Sequence, residues 1–113
     1  SVGIITAKKL ALSEKHLENA GITKQMPVQI QGLEDCSEWN KIFSSPEEDI
    51  DISTVEKDVV SSACSMMSEA DIGAFVLECT DLPPFSNAIK KATGRPVFDF
   101  VTLTNFVYHG IRF

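Results

Sequence analysis

The sequence predicts an α/β fold in which a four-stranded parallel sheet lies between helices, giving three α/β/α layers. Short apolar segments at residues 2–5, 27–30, 72–77 and 96–98 alternate with stretches that carry helical signals. Strands and helices that alternate in this way form parallel sheets through right-handed crossovers. The segment 72–77 is a continuous apolar run, which is typical of a strand covered on both faces.

Capping residues mark the first two helices. Ser13 is expected to cap a helix that ends at Gly21, because serine accepts from free amides and glycine adopts the left-handed C-terminal turn. A capping box at residues 53–56 opens a longer helix. Its apolar positions share one face, which is therefore expected to be buried. These positions are Val55, Val59, Ala63, Met66 and Ala70.

Two further helices are predicted in the C-terminal half. One begins at Pro83 and Pro84 and stops at Gly94, and its inward side chains are expected to be Phe85, Ala88, Ile89 and Ala92. The other closes the chain over about residues 102–108. Residues 32–52 are acidic and irregular, with Trp39 and Phe43 expected to attach them to the core.

Size and charge restrict the class of protein. A chain of 113 residues is expected to form a single lobe over 1–113, and 10 basic against 16 acidic side chains give a net charge of −6. No basic stripe or long apolar run suggests a nucleic acid or a membrane as partner. The sequence starts directly inside a strand and without an initiating Met, as expected of a fragment.

The three cysteines, Cys36, Cys64 and Cys79, form no Cys-x-x-Cys pair and no zinc spacing with the two histidines. Reduced thiols, and hence a cytoplasmic protein without a bound metal, are expected. Cys64 falls in the middle of the capped helix and is expected in the core. Cys36, in the irregular stretch, is expected to be incidental.

Cys79 is the candidate for chemistry. It follows the strongest strand, and ligands of parallel sheets bind at the carboxyl ends of strands. A helix start close behind it would supply free amides and a positive dipole end, so we expect its pKa to fall from about 8.5 towards neutrality. Such a thiol can take up and return a proton. The alternative is that Cys79 is a small buried hydrophobic residue.

Neighbouring polar residues complete the predicted site. Thr6 and Thr80 lie at strand ends and are assigned to substrate binding. Asp81 is also assigned to substrate binding, although as an N-cap its charge would raise the thiol pKa. Asp99, at the end of the fourth strand, is either a further site residue or the cap of the last helix.

Residues 76–85 and 93–99, with the Glu-Cys-Thr core at 78–80, resemble the second, C-terminal lobe of the aspartate/glutamate/hydantoin racemase superfamily. The opening residues 2–6 and 12–17 are similar to the start of that lobe. The resemblance implies a flavodoxin-like lobe, catalysis without pyridoxal phosphate or metal, and two thiols, one from each of two facing lobes. Cys79 and Thr80 match the family's second cysteine and its threonine. Asp81 replaces the histidine of glutamate racemases, which argues against glutamate.

The function predicted from this resemblance is half of a cofactor-independent racemase acting on an amino acid or hydantoin, with a small carboxylate or hydantoin as substrate. The resemblance implies an N-terminal lobe, which is missing from this sequence. Without that lobe we expect the chain to be inactive and to self-associate through an exposed apolar face. Two alternatives remain open. One is a single-cysteine isomerase or decarboxylase of small dicarboxylates, and the other is a non-catalytic ligand-binding module.

Overall fold

The computed structural model describes all residues, 1–113, and contains a four-stranded parallel sheet with strand order β2-β1-β3-β4. The strands are β1 (Val2–Thr6), β2 (Val28–Gly32), β3 (Ala74–Leu77) and β4 (Val97–Phe98). The register aligns Ile4 with Ile30 on one side and with Val76 on the other. The predicted α/β class and the parallel four-stranded sheet are confirmed.

Five α-helices connect and flank the strands: α1 (Glu14–Asn19), α2 (Ser37–Ser44), α3 (Ile52–Glu69), α4 (Ser86–Thr93) and α5 (Phe100–Ile111). Short 3₁₀ turns occur at Lys9–Ala11 and Pro83–Phe85. Ser13 caps α1 as predicted, and Gly21 and Gly94 follow α1 and α4 with positive φ angles of 82° and 68°. None of the helices is both long and apolar enough to traverse a bilayer.

One face of the sheet, here called the core face, carries Ile5, Phe75, Leu77 and Val97, all buried. Helix α3 crosses this face so closely that a Cβ on Gly3 would lie 2.9 Å from the ring of Phe75 and 3.1 Å from the end of Met66. Trp39 of α2 and Ile89 of α4 belong to the same cluster. The protein therefore has one main core, between the sheet and α2, α3 and α4.

The opposite face, here called the outer face, is covered unevenly. Because side chains alternate along strands, Val2, Ile4, Val76 and Phe98 point to this side. Leu17 of α1 lines a pocket together with Val28 and Ile30 of β2, so α1 lies beside this part of the face without burying any of its own residues. Phe98 on β4 remains 54% exposed. The outer face is thus partly covered at the β2 edge and open at the β4 edge.

Three sequence expectations about the helices were wrong. Residues 37–44, predicted as irregular, form α2, which carries the fully buried Trp39 while Phe43 is half exposed. The cap of α3 is Asp51, two residues before the predicted cap Ser53, because the carboxylate of Asp51 accepts from the amide and the hydroxyl of Thr54. Helix α5 is longer than 102–108 and buries none of its side chains.

Two predicted core side chains lie outside. Cys64 is exposed because it follows Ala63, about 100° around the helix from the buried stripe of α3. Ala92 is also exposed, since the inward positions of α4 continue in steps of four residues from Phe85 to Ile89 and the half-buried Thr93. In both cases the helix lies where it was predicted, and only the assignment of these side chains to its buried face was wrong.

Candidate functional site

A cleft of about 470 Å³ opens at the carboxyl ends of β1 and β3. Clefts of roughly 300–1,000 Å³ are typical of small-molecule sites. Its walls come from the loop after β1, from α2 and from the segment after β3: Thr6, Ala7, Lys8, Ala11, Leu12, Phe43, Glu78, Cys79 and Thr80. The cleft therefore lies at the edge of the sheet where ligands of parallel α/β folds bind.

Cys79 is half buried in this cleft, and its sulfur lies 4.0 Å from Oδ2 of Asp81. Burial raises the pKa of the Cys79 thiol, and the charges of Asp81 and Glu78 raise it further, although the amide of Asp81 acts in the opposite direction. The expectation of a pKa lowered towards neutrality was wrong. Helix α4 begins only at Ser86, behind a 3₁₀ turn, so no helix N-terminus adjoins the sulfur.

Thr6 and Glu78 are joined across the strand ends. The buried hydroxyl of Thr6 donates to Oε2 of Glu78 at 2.7 Å, and the Glu78 amide donates to the Ile5 carbonyl at 3.0 Å. Alternation along a continuing strand would place Glu78 and Cys79 on opposite faces, but the strand ends at Leu77 and both residues line the cleft. A carboxylate directly after the central strand was the available signal.

Unused hydrogen-bond donors face the solvent at the ends of the two strands. The amides of Ala7, Lys8, Cys79 and Thr80 donate to no protein acceptor. The only ion pair in the structure joins Lys41 to Glu38. The ammonium group of Lys8 and the carboxylates of Glu78 and Asp81 thus have no ionic partner. Lys8 was not identified from the sequence, although its position directly after the first strand was a signal.

The structure brings together most of the predicted site. Thr6, Cys79 and Thr80 line one cleft, whereas Asp81 lies beside the sulfur but outside the lining. Asp99 is separate, since it caps α5 through the amide of Thr102 at 2.8 Å. It also accepts from the Ser86 hydroxyl at 2.5 Å. This arrangement fits the capping alternative for Asp99.

Comparisons of sequence lead to lyases. No protein-family model matches the chain. It is 35% identical over 80 residues, 70% of its length, to a dimethylsulfoniopropionate lyase of Durusdinium sp. clade D. It is 30% identical over 112 residues, 93% of its length, to dimethylsulfoniopropionate lyase 5 of Emiliania huxleyi. The matched regions are only 26% and 22% of those proteins, so the chain spans about a quarter of their length.

Comparison of structures leads to a racemase. The fold superposes on a crystal structure of allantoin racemase from Pseudomonas fluorescens with a TM-score of 0.65, over 98% of this chain and 44% of that one. The sequences are 18% identical, so this similarity concerns the fold alone. The chain thus has the fold of part of a racemase, as the sequence had indicated. Its sequence relatives are lyases, a class of enzyme that was not predicted from the sequence.

Proposed function

We propose that the cleft is one wall of a lyase site in which Cys79 removes a proton from the carbon next to a substrate carboxylate. The proposed substrate is a zwitterion of the dimethylsulfoniopropionate class. The observation that carries the proposal is the set of groups without an ionic partner around one thiol. These are the Lys8 ammonium on one hand and the carboxylates of Glu78 and Asp81 on the other, together with backbone amides that have no acceptor.

These groups match the two ends of such a substrate. The substrate carboxylate would accept from Lys8 and from the amides of Cys79 and Thr80. The sulfonium would lie near Glu78, whose carboxylate is held in place by Thr6. Thr6 is in this proposal a positioning residue, because its buried hydroxyl is already engaged.

The chemical step is a β-elimination. The thiolate of Cys79 takes the proton from the α-carbon, and the electron pair of that C–H bond forms the double bond to the β-carbon. The bond from the β-carbon to sulfur breaks and its pair stays on sulfur, so dimethyl sulfide leaves as a neutral molecule and acrylate remains. The thiol then returns its proton to water.

The raised pKa of Cys79 fits a cationic substrate. In the free cleft, burial and the charges of Asp81 and Glu78 keep the thiol protonated. A sulfonium beside these carboxylates would offset their charge and favour the thiolate. The base would then form when substrate arrives, and the free thiol would stay unreactive.

The second candidate is racemisation of an amino acid or hydantoin by two thiols, which the fold of allantoin racemase favours. Cys36 and Cys64 do not line the cleft, so the second thiol would come from a further lobe, as a partner of this one. An elimination needs one base and a leaving group, whereas racemisation needs acid/base groups on both faces of the carbon. The two candidates therefore differ in what this chain can do alone.

Alkylation of Cys79 by iodoacetamide, in a C36S/C64S background, tests the proposed substrate. Dimethylsulfoniopropionate should slow the reaction more than isocaproate, which has the same shape without the positive charge. Glu78→Gln should remove this preference, while Glu69→Gln, at the exposed end of α3, should keep it. Equal protection by both compounds would contradict the lyase proposal, and protection by allantoin or aspartate alone would favour the racemase.

Turnover gives a second test. Release of dimethyl sulfide by the chain should fall by about 10²–10⁴-fold in Cys79→Ser, the usual loss on removing a general base. Cys64→Ser should retain the wild-type rate, because Cys64 is exposed on α3. Solvent deuterium at the α-carbon of recovered aspartate or allantoin, with no dimethyl sulfide from dimethylsulfoniopropionate, would instead indicate racemase chemistry.

A further inference from the structure

Helix α5 is predominantly apolar and buries none of its side chains, and its polar residues Thr102, Asn105 and His109 share one side. Between Phe100 and Ile111 it contains no acidic residue, lysine or arginine. Phe106 is 78% exposed and Ile111 68%. The broad apolar face of a helix normally packs against other elements. We therefore expect another polypeptide surface to pack against α5.

A groove beside α5 is equally apolar. Val76 and Phe98 of the outer face form its floor, and Phe100, Leu103 and Phe106 of α5 form a wall, around a volume of about 560 Å³. Sheets with only parallel strands are covered on both faces. The outer face at the β4 edge and the adjacent helix α5 are thus both without a covering element.

We propose that two copies of this chain pair through α5 and this groove, so that each α5 covers the groove of the other copy. The helix and the groove lie on the same surface, so the same patch from both copies would form a closed twofold interface. This surface is called the α5 patch below.

The area of the α5 patch suits a stable dimer. Its four aromatic side chains, Phe100, Phe106, Tyr108 and Phe113, are between 52% and fully exposed. At 150–250 Å² for each buried aromatic side chain, they present roughly 600 Å². Val101, Leu103, Val107 and Ile111 are also half exposed or more. Standard interfaces use about 800 Å² from each partner, so the α5 patch suffices.

The charge distribution selects the same surface. The chain carries a net charge of −6, so two copies repel each other across most of their surfaces. The residues of α5 contribute no negative charge, and Arg112 follows directly. The groove itself is lined by two carboxylates, Glu78 and Asp99, so approach through α5 brings the copies together on a surface with few negative charges.

The α5 patch reaches the candidate site. Glu78 lines both the groove beside α5 and the Cys79 cleft. Pairing would consequently change solvent access along one side of the cleft. The pairing itself does not depend on the proposed chemistry, because none of the α5 residues is assigned a role there.

Sedimentation velocity of the purified chain over a range of concentrations tests the pairing. Wild type should sediment as a dimer at micromolar concentrations, and Phe106→Asp should sediment as a monomer. Leu10→Asp is the matched control, because Leu10 is 97% exposed on a 3₁₀ turn outside the α5 patch. It should remain dimeric.

Phe106→Ala, read together with the cooperative unfolding curve, separates loss of pairing from loss of fold. It should weaken the dimer with little effect on the stability of the diluted monomer, because Phe106 is 78% exposed and lies outside the core cluster. A monomeric wild type would overturn the proposal and leave α5 for another lobe or protein. Dimers that survive Phe106→Asp, or open-ended aggregates of wild type, would also overturn it.

Discussion

The hydroxyl of Thr6 donates to the carboxylate of Glu78 at 2.7 Å and ties the end of β1 to the end of β3. These strands are neighbours in the sheet although their residues are 72 positions apart in the chain. The bond fixes Glu78 on the wall of the cleft that contains Cys79. A structural contact between two strands thus sets the electrostatics of the candidate site.

Thr6→Val tests this contact, because valine keeps the shape and removes the donor. The free energy of unfolding should fall by about 1–3 kcal/mol, as for a hydrogen bond to a charged group. Urea titration measures the loss. Thr104→Val, which removes a bond on the exposed surface of α5, should cost clearly less. If Thr6→Val cost as much in a Glu78→Ala background as in wild type, the coupling would be absent.

The pKa of Cys79 should respond to Asp81. Burial and the Asp81 charge raise this pKa, so the rate of alkylation should rise with pH around a midpoint above the ordinary value of about 8.5. Asp81→Asn removes the charge and keeps the backbone amide, so the midpoint should move down. Asp71→Asn makes the same charge change at the opposite end of the sheet and should leave it in place. An unchanged midpoint in Asp81→Asn would show that the carboxylate does not act on the thiol.

Asp99 should make stability depend on acidic pH. Burial alone would raise its pKa, but hydrogen bonds from Ser86, Thr102 and Val101 outweigh this and hold the pKa below the usual value. The unfolded chain therefore takes up the proton first, below about pH 4, and the stabilisation is lost as pH falls through the lower folded pKa.

Asp99→Asn keeps a capping side chain without the charge. Its deficit in unfolding free energy relative to wild type should be constant near neutral pH and should shrink below about pH 4. Ser86→Ala, which removes the bond on the buried oxygen, should reduce this pH dependence. A deficit that is the same at all pH values would mean that the charge of Asp99 adds nothing.

Gly3 should tolerate no side chain. A Cβ there would lie 2.9 Å from the ring of Phe75, which is fully buried and has no room to move. Gly3→Ala should lower the free energy of unfolding by about 1–3 kcal/mol through overpacking. At Gly32 the obstacle is the carboxylate of the exposed Glu34, so Gly32→Ala should cost much less. Equal losses in thermal unfolding would contradict this difference.

Local patterns in the sequence predicted most of the strands and helices. Apolar runs marked all four strands, and glycines at 21 and 94 marked two helix ends. The pattern failed at α2, which lies within an acidic stretch of the chain. Helix α2 is stabilised by Trp39, whose buried contacts with the core are not visible as periodicity.

The sequence by itself determined that Cys79 follows the central strand, and that Thr6, Thr80 and Asp81 stand near strand ends. These positions depend on strand order along the chain. Only the tertiary structure decided that Glu78 and Lys8 share the cleft and that the pKa of the thiol rises. It also left α5 uncovered. Side-chain direction beyond a strand end, burial and distant charges depend on how segments far apart in sequence pack, and no local pattern encodes them.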